Sequence, residues 1–211
     1  MSKIKNNHYK FNSYVDLNRF ISYYYQIKFV LDLNPKTILE IGVGNNFFYN
    51  YFKSNNFDML NCDLDESLNP DVISDVRCLD LKANSFDVVC CFQVLEHIPL
   101  SDFEIAINEL RRVSKKYVVL SLPYNSYNFQ FLFHFPFSKT LFNCNYFEFS
   151  LRFPLYLKHK FKGEHYWEIG KRGCSIYKIR KLIKKNKLKI VKEYSPFLNK
   201  YHLFFILEKI K

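Results

Sequence analysis

The stretch Thr37-Ile38-Leu39-Glu40-Ile41-Gly42-Val43-Gly44-Asn45-Asn46 decides the fold. A short apolar strand runs straight into a turn that holds two of the chain's five glycines. Phe47 to Lys53 then reads as the start of a helix. Glycine accepts backbone angles closed to other residues, so Gly42 and Gly44 permit a sharp turn and a close approach to a ligand. The helix behind them offers unpaired N-terminal amides. Asp63 lies 21 residues after Gly42, at the end of the next strand, where an acid can accept both hydroxyls of a ribose. The competing reading is a tight strand-to-helix turn with incidental acids beside it.

Outward from this loop the chain alternates strands and helices. Leu17, Phe20, Ile21, Tyr24, Ile27, Val30 and Leu31 recur at steps of three and four, which predicts a helix over 14–33, ended by Asn34-Pro35. Strands are expected at 59–63, 71–75, 86–92 and 117–122. Ser101-Asp102-Phe103-Glu104 fits a capping box for the helix that carries Phe103, Ile107, Leu110 and Val113. Ser175 can cap a helix running to Asn186, with Lys184, Lys185 and Lys187 at its C-terminal end. Strands at 189–194 and 201–208 follow each other without a helix, so they are expected to pair antiparallel. The pattern is that of an α/β fold: a mostly parallel, Rossmann-like seven-stranded sheet with an antiparallel C-terminal strand pair. Its ligand edge lies at the strand C-termini. We expect one domain over 1–211, with an aromatic insertion over 124–169 after the fifth strand.

Composition sets further bounds. The 211 residues are 48% hydrophobic and 24% charged, which is globular rather than disordered. Residues 121–211 hold 18 Lys+Arg and 5 Asp+Glu, a net of +13, against −2 for residues 1–120. No apolar run is long enough to span a membrane, and Met1 to Lys10 lack the apolar core of a secretion signal. The six cysteines show no metal-binding spacing. Reduced thiols in a cytoplasmic protein, with no metal, are the expectation.

A third glycine at position 47 would mark a dinucleotide loop, and Phe47 stands there. Glu40, two residues before Gly42, suits an amino group on the ligand and would sit badly beside a pyrophosphate. The ligand should carry adenosine-like hydroxyls and a cationic amine, without phosphate. Glu40 to Asn46 resembles the first motif of the class I S-adenosylmethionine-dependent methyltransferases. Asp63 matches the acid after their second strand, and Asp75, before Val76-Arg77-Cys78, the acid near the adenine. Ser85 to Val89 with Val94 to Pro99 is similar to the fourth-strand block of the type 11 branch. The resemblance covers about residues 35–123 and the final strand pair. It implies S-adenosylmethionine as cofactor, with Glu40 on the methionine amino group and Gly42 and Gly44 beneath it. It places Asp63 on the ribose, Asp75 on the adenine amino group, and Phe92 or Gln93 at the methionine end. Leu64 and Val76 are carried with their neighbours. Asn46 stands where the family has a third glycine, and asparagine tolerates the left-handed region.

His97, after the fourth strand, and His165 are the candidate catalytic residues, since histidine is the usual base near neutral pH. His97 could equally cap a helix or pair with Glu96. Gly163 to Gly170 holds the only tryptophan and a His165–Glu168 pair that would share a face on a helical turn. Tyr124, Tyr166, Trp167 and Glu168 are therefore assigned to the acceptor. His202 reads as a core or edge histidine. The run Phe129 to Phe153 is a lid, a membrane-surface patch or ordinary core. The acceptor is expected to be a small molecule, saccharide or lipid-linked glycan, with nucleic acid disfavoured because no RNA-binding module accompanies the basic residues. The rivals are a non-catalytic binding protein using its basic face and an NAD-dependent oxidoreductase.

Overall fold

The structure is a computed structural model and describes residues 16–161 and 163–210. The chain opens with α1 (Leu17–Leu31), capped by Asp16, whose carboxylate accepts from the Arg19 amide. Residues 14 and 15 of the expected helix lie outside the described residues. Then follow β1 (Thr37–Ile41), α2 (Phe47–Ser54), β2 (Asp58–Asp63), β3 (Val72–Ile73) and β4 (Phe86–Phe92). Next come α3 (Phe103–Val113), β5 (Ser114–Pro123), β6 (Ser126–Phe133), α4 (Ser138–Phe142) and β7 (Phe147–Pro154). The chain closes with α5 (Ile176–Lys185), β8 (Leu188–Tyr194) and β9 (His202–Lys209).

Seven strands form one sheet in the order β3-β2-β1-β4-β5-β9-β8. The first five are parallel, and β9 runs antiparallel to both β5 and β8, as expected. The chain builds outward from β1 to β3, then returns to place β4 on the other flank of β1. The reversal opens a crevice between the C-terminal ends of β1 and β4, where open α/β sheets bind ligands.

Strand alternation sorts the side chains onto two faces. Leu39, Ile41, Val89 and Cys91 face a layer containing Phe103, Ile107, Leu110, Ile179 and Ile183 from α3 and α5. Ile38, Val88 and Cys90 face Phe29, Val30, Phe48 and Phe52 from α1 and α2. Cys90 and Cys91 thus lie on opposite faces and cannot share a ligand. The outer side of α5 is basic, yet Arg180 pairs with Glu193 and Lys185 with Glu104.

Two expectations are corrected. The capping box at Ser101 does not form: residues 100–102 make a 3₁₀ turn, the Ser101 hydroxyl donates to Asp102, and Glu104 reaches Lys185 instead. The insertion, which shows no clean period in sequence, contains a hairpin. Its strands β6 and β7 pair Tyr127 with Phe153, Phe129 with Leu151, Phe131 with Phe149 and Phe133 with Phe147. These eight side chains share one face, and each is at least 40% exposed. The opposite face is mostly polar and is tied down by Arg152. Its guanidinium donates to Asn128, Ser195 and the Lys200 carbonyl and lies 4.2 Å from the Tyr124 ring centre.

The two serines are therefore predicted to differ. Ser175→Ala removes a cap whose oxygen accepts the Lys178 amide and should lower unfolding free energy by about 1 kcal/mol. Ser101→Ala should change it by less than about 0.5 kcal/mol. Urea denaturation of the two variants checks this, and an equal loss would restore the capping box.

Candidate active site

The crevice is a cleft of about 1120 Å³. Its floor is the loop after β1. Gly42 adopts φ 87° and Gly44 φ 55°, and a Cβ on Gly42 would collide with the Val94 side chain. Asn46 takes φ 62°, so asparagine does fill the left-handed position before α2. Its side chain turns toward β2 and accepts from Asn61. Asn46 does not line the cleft; Asn45 does.

Asp63 holds the loop in place. One carboxylate oxygen accepts the Val43 amide at 2.9 Å and the other the Asp65 amide at 2.9 Å. Each oxygen keeps a further lone pair for a ligand hydroxyl. Leu64, Val76, Phe92 and Gln93 line the same space. Gln93 sits at φ 54° and is fixed to Ser121 through backbone and side chain. A non-glycine residue held in this region is a mark of functional loops. Asp75 also lines the cleft, but both its oxygens bind Arg77, which in turn reaches Asp102. Hydrogen bonding from Arg77 holds the Asp75 carboxyl below its usual range.

Glu40 is the exceptional group. It lies near the C-terminal end of β1, is 5% exposed and lines the cleft, and its Oε2 has no hydrogen-bond partner. Burial, with the negative charge of Asp63, pushes its carboxyl well above the ordinary range. A buried unpaired carboxylate is costly unless a cation meets it. The residues thus fit a ligand that brings an ammonium to Glu40 and hydroxyls to Asp63.

The far end of the cleft is built from separate parts of the chain. His97 Nδ1 lies 3.0 Å from the Glu164 carbonyl, which has no hydrogen to give, so Nδ1 carries the proton. His165 Nδ1 lies 3.2 Å from Glu168, and the two imidazoles stand 5.0 Å apart. Asn125 and Tyr201 donate to Glu168, each at 2.9 Å. Hydrogen bonding from His165, then from Asn125 and Tyr201, brings the Glu168 carboxyl down to about 2 against the opposing effect of burial. Burial works against a cation on His165, yet Glu168, Glu96 and Glu164 together hold its pKa above the usual value. Burial and the neighbouring His165 lower that of His97. Glu96 lies beneath them, fully buried, with no hydrogen-bond partner on either oxygen, and burial pushes it up to about 7.

Of the residues assigned to the acceptor, only Tyr166 lines the cleft. Trp167 is 4% exposed, donates to the Ile98 carbonyl at 3.0 Å and packs on Phe103. Tyr124 is buried against Arg152, and Glu168 stands behind His165. These three support the site rather than face it. The sequence reading missed Arg19, Tyr23 and Gln26 of α1, Phe48 of α2, and Phe161, Tyr201 and His202, all in the lining. Only the amphipathic pattern of α1 signalled any of them. His202 is buried as expected, with its ring nitrogen 2.7 Å from the Ser22 hydroxyl, and burial lowers its pKa to about 3.

Residues 39–122 match a family model described as a methyltransferase domain. No curated protein matches the sequence. An S-adenosylmethionine-dependent methyltransferase from Clostridium acetobutylicum superposes with TM-score 0.59 at 12% identity, covering 97% of this chain and 96% of that one. A protein from Pyrococcus horikoshii gives 0.60 at 14%, covering 98% and 100%. Magnesium protoporphyrin IX methyltransferase from Synechocystis, with bound SAH, gives 0.58 at 15%, covering 92% and 83%. At these identities the likeness establishes the fold. The chain therefore has the fold of the S-adenosylmethionine-dependent methyltransferase it superposes on, and within it residues 39–122 match the methyltransferase-domain model.

Proposed function

We propose that this enzyme methylates a hydroxyl or amine of a saccharide or lipid-linked acceptor at an anionic membrane surface. The observation that carries the cofactor half is Glu40, a buried residue in the lining of the cleft whose Oε2 lacks a partner. In this reading Glu40 holds the methionine amino group, and the glycine loop lets the backbone pass beneath it. Asp63 takes the ribose hydroxyls, and Leu64, Asp75 and Val76 surround the adenine. Phe92 and Gln93 bound the methionine end. When bound, the cofactor supplies a methyl group already activated on a sulfonium, so the protein's task is alignment. His97, His165 and Tyr166 line the far end of the cleft, where they would hold the acceptor hydroxyl or amine.

The membrane half rests on the hairpin. It turns polar side chains to the body and an apolar face to the outside, the reverse of ordinary burial. Contiguous exposed apolar surface of this kind marks an interaction site. The tip adds Phe135, Phe137, Leu141 and Phe142, each more than half exposed. Residues 121–162 hold five Lys+Arg and one acid, which complements anionic headgroups and opposes self-association of a chain of charge +11.

Two outcomes are expected. Glu40→Gln should weaken S-adenosylmethionine binding by about 30-fold or more, the scale for truncating one partner of a buried charge pair. The ligand's cation needs Glu40 ionised, and burial holds its pKa high in the free protein. Wild-type affinity should therefore rise from acid toward neutral pH, and the rise should flatten in Glu40→Gln. Titration calorimetry at several pH values checks both, and an unchanged affinity would overturn this assignment. In the second test, wild-type protein should sediment with phosphatidylglycerol vesicles and not with phosphatidylcholine vesicles. Phe131→Ser combined with Phe149→Ser should cut that binding at least several-fold at unchanged melting temperature. A wild-type dimer that the double variant splits, with no vesicle binding, would assign the face to a second copy instead.

A further inference from the structure

Three side chains at the far end of the cleft form a set whose buried, partnerless member, Glu96, the methyl-transfer reading leaves unexplained. Glu96, His97 and His165 each place one ligand atom within 4.8 Å of the others. Glu96 follows β4, while His165 comes from the segment beyond the hairpin, 69 residues later. The two meet because the Tyr166 amide donates to the Glu96 carbonyl at 2.8 Å and Trp167 anchors on Ile98.

Each group is prepared in the way metal ligands are. Glu96 is fully buried, and neither of its oxygens has a hydrogen-bond partner. Burying such a group without a partner is unfavourable, and a cation removes the penalty. His97 commits Nδ1 to the Glu164 carbonyl and His165 commits Nδ1 to the Glu168 carboxylate. Nε2 of each neutral ring is then the lone-pair nitrogen. Metal-binding histidines characteristically donate their other N–H to a carbonyl or carboxylate, which fixes tautomer and ring orientation. Glu168 is itself braced by Asn125 and Tyr201, so the outer support is also in place.

We propose that Glu96, His97 and His165 bind one divalent first-row transition ion, with its remaining coordination positions open to the cleft. Two imidazoles and one carboxylate suit zinc, iron(II), cobalt(II) or manganese(II) far better than magnesium or calcium, which prefer all-oxygen shells. Ligand bonds of about 2.0–2.2 Å place ligand atoms roughly 3–4 Å apart, so small side-chain turns close the set around an ion. His97 and His165 line the cleft, and an acceptor hydroxyl or amine can occupy an open position. There the ion lowers the acceptor's pKa, which a free imidazole would otherwise have to accommodate. The proposed use of the ion rests on the methyl-transfer reading; the binding of the ion does not.

The test uses the full chain, stripped with a chelator and dialysed against zinc or cobalt(II). Wild-type protein should retain one ion per chain, and the cobalt form should show d–d absorption bands. Glu96→Gln and His97→Ala should each lose the ion at concentrations that saturate wild type. Glu168→Gln should weaken binding about 10- to 100-fold, the range for loss of an outer-shell partner. His134→Ala, outside the set, should change nothing. S-adenosylmethionine affinity measured on the same samples reports folding and keeps the cofactor assignment separate. Wild type that holds no stoichiometric ion, or folded Glu96→Gln and His97→Ala variants that still hold one, would overturn the metal site.

Discussion

A carboxylate buried without a partner is among the most expensive groups a small protein can carry, and Glu40 is one. Its place near the end of β1 is set by the parallel ladder, which pairs it with Asn61 on one side and Cys90 on the other. The glycine turn begins two residues later, and Asp63 clamps that turn through the Val43 amide. The cleft opens here because β1 is where strand order reverses. Loop, clamp and crevice all converge on a group that needs a cation.

The glycine loop and its acidic clamp were legible in the sequence because their determinants are local. A strand, two glycines and an acid at the next strand end lie within 27 residues, and each has a backbone reason for its identity. Asn46 illustrates this: its left-handed backbone was readable, while the direction of its side chain, toward Asn61, was not. The far end was legible only in fragments. His97 and His165 could be named singly, but their meeting depends on how the Gly163 to Gly170 segment docks beside β4 and β5, which no spacing reveals. Trp167 and Tyr124 looked like acceptor groups because aromatic residues near a site invite that reading. Tertiary packing makes them core and support instead.

The hairpin was hidden for a different reason. Phenylalanine, tyrosine and leucine are so dense over 124–169 that alternation in β6 and β7 is masked by the apolar turn between them. Only the cross-strand register shows that eight apolar side chains share one face. The failed capping box at Ser101 has a similar cause. Ser101 and Asp102 fall in a 3₁₀ turn whose geometry sends the serine hydroxyl to its neighbour, and Glu104 finds a lysine from α5.

The pairing of Glu40 with the cofactor's amino group is the central claim, and ligand dissection tests it directly. S-adenosylmethionine and 5′-methylthioadenosine share the adenosine but only the first carries the amino acid. Calorimetric affinities for the wild-type protein should favour S-adenosylmethionine by about 30-fold or more, the scale of a buried charge pair. Equal affinities would contradict the account, since Glu40 would then contribute nothing to binding.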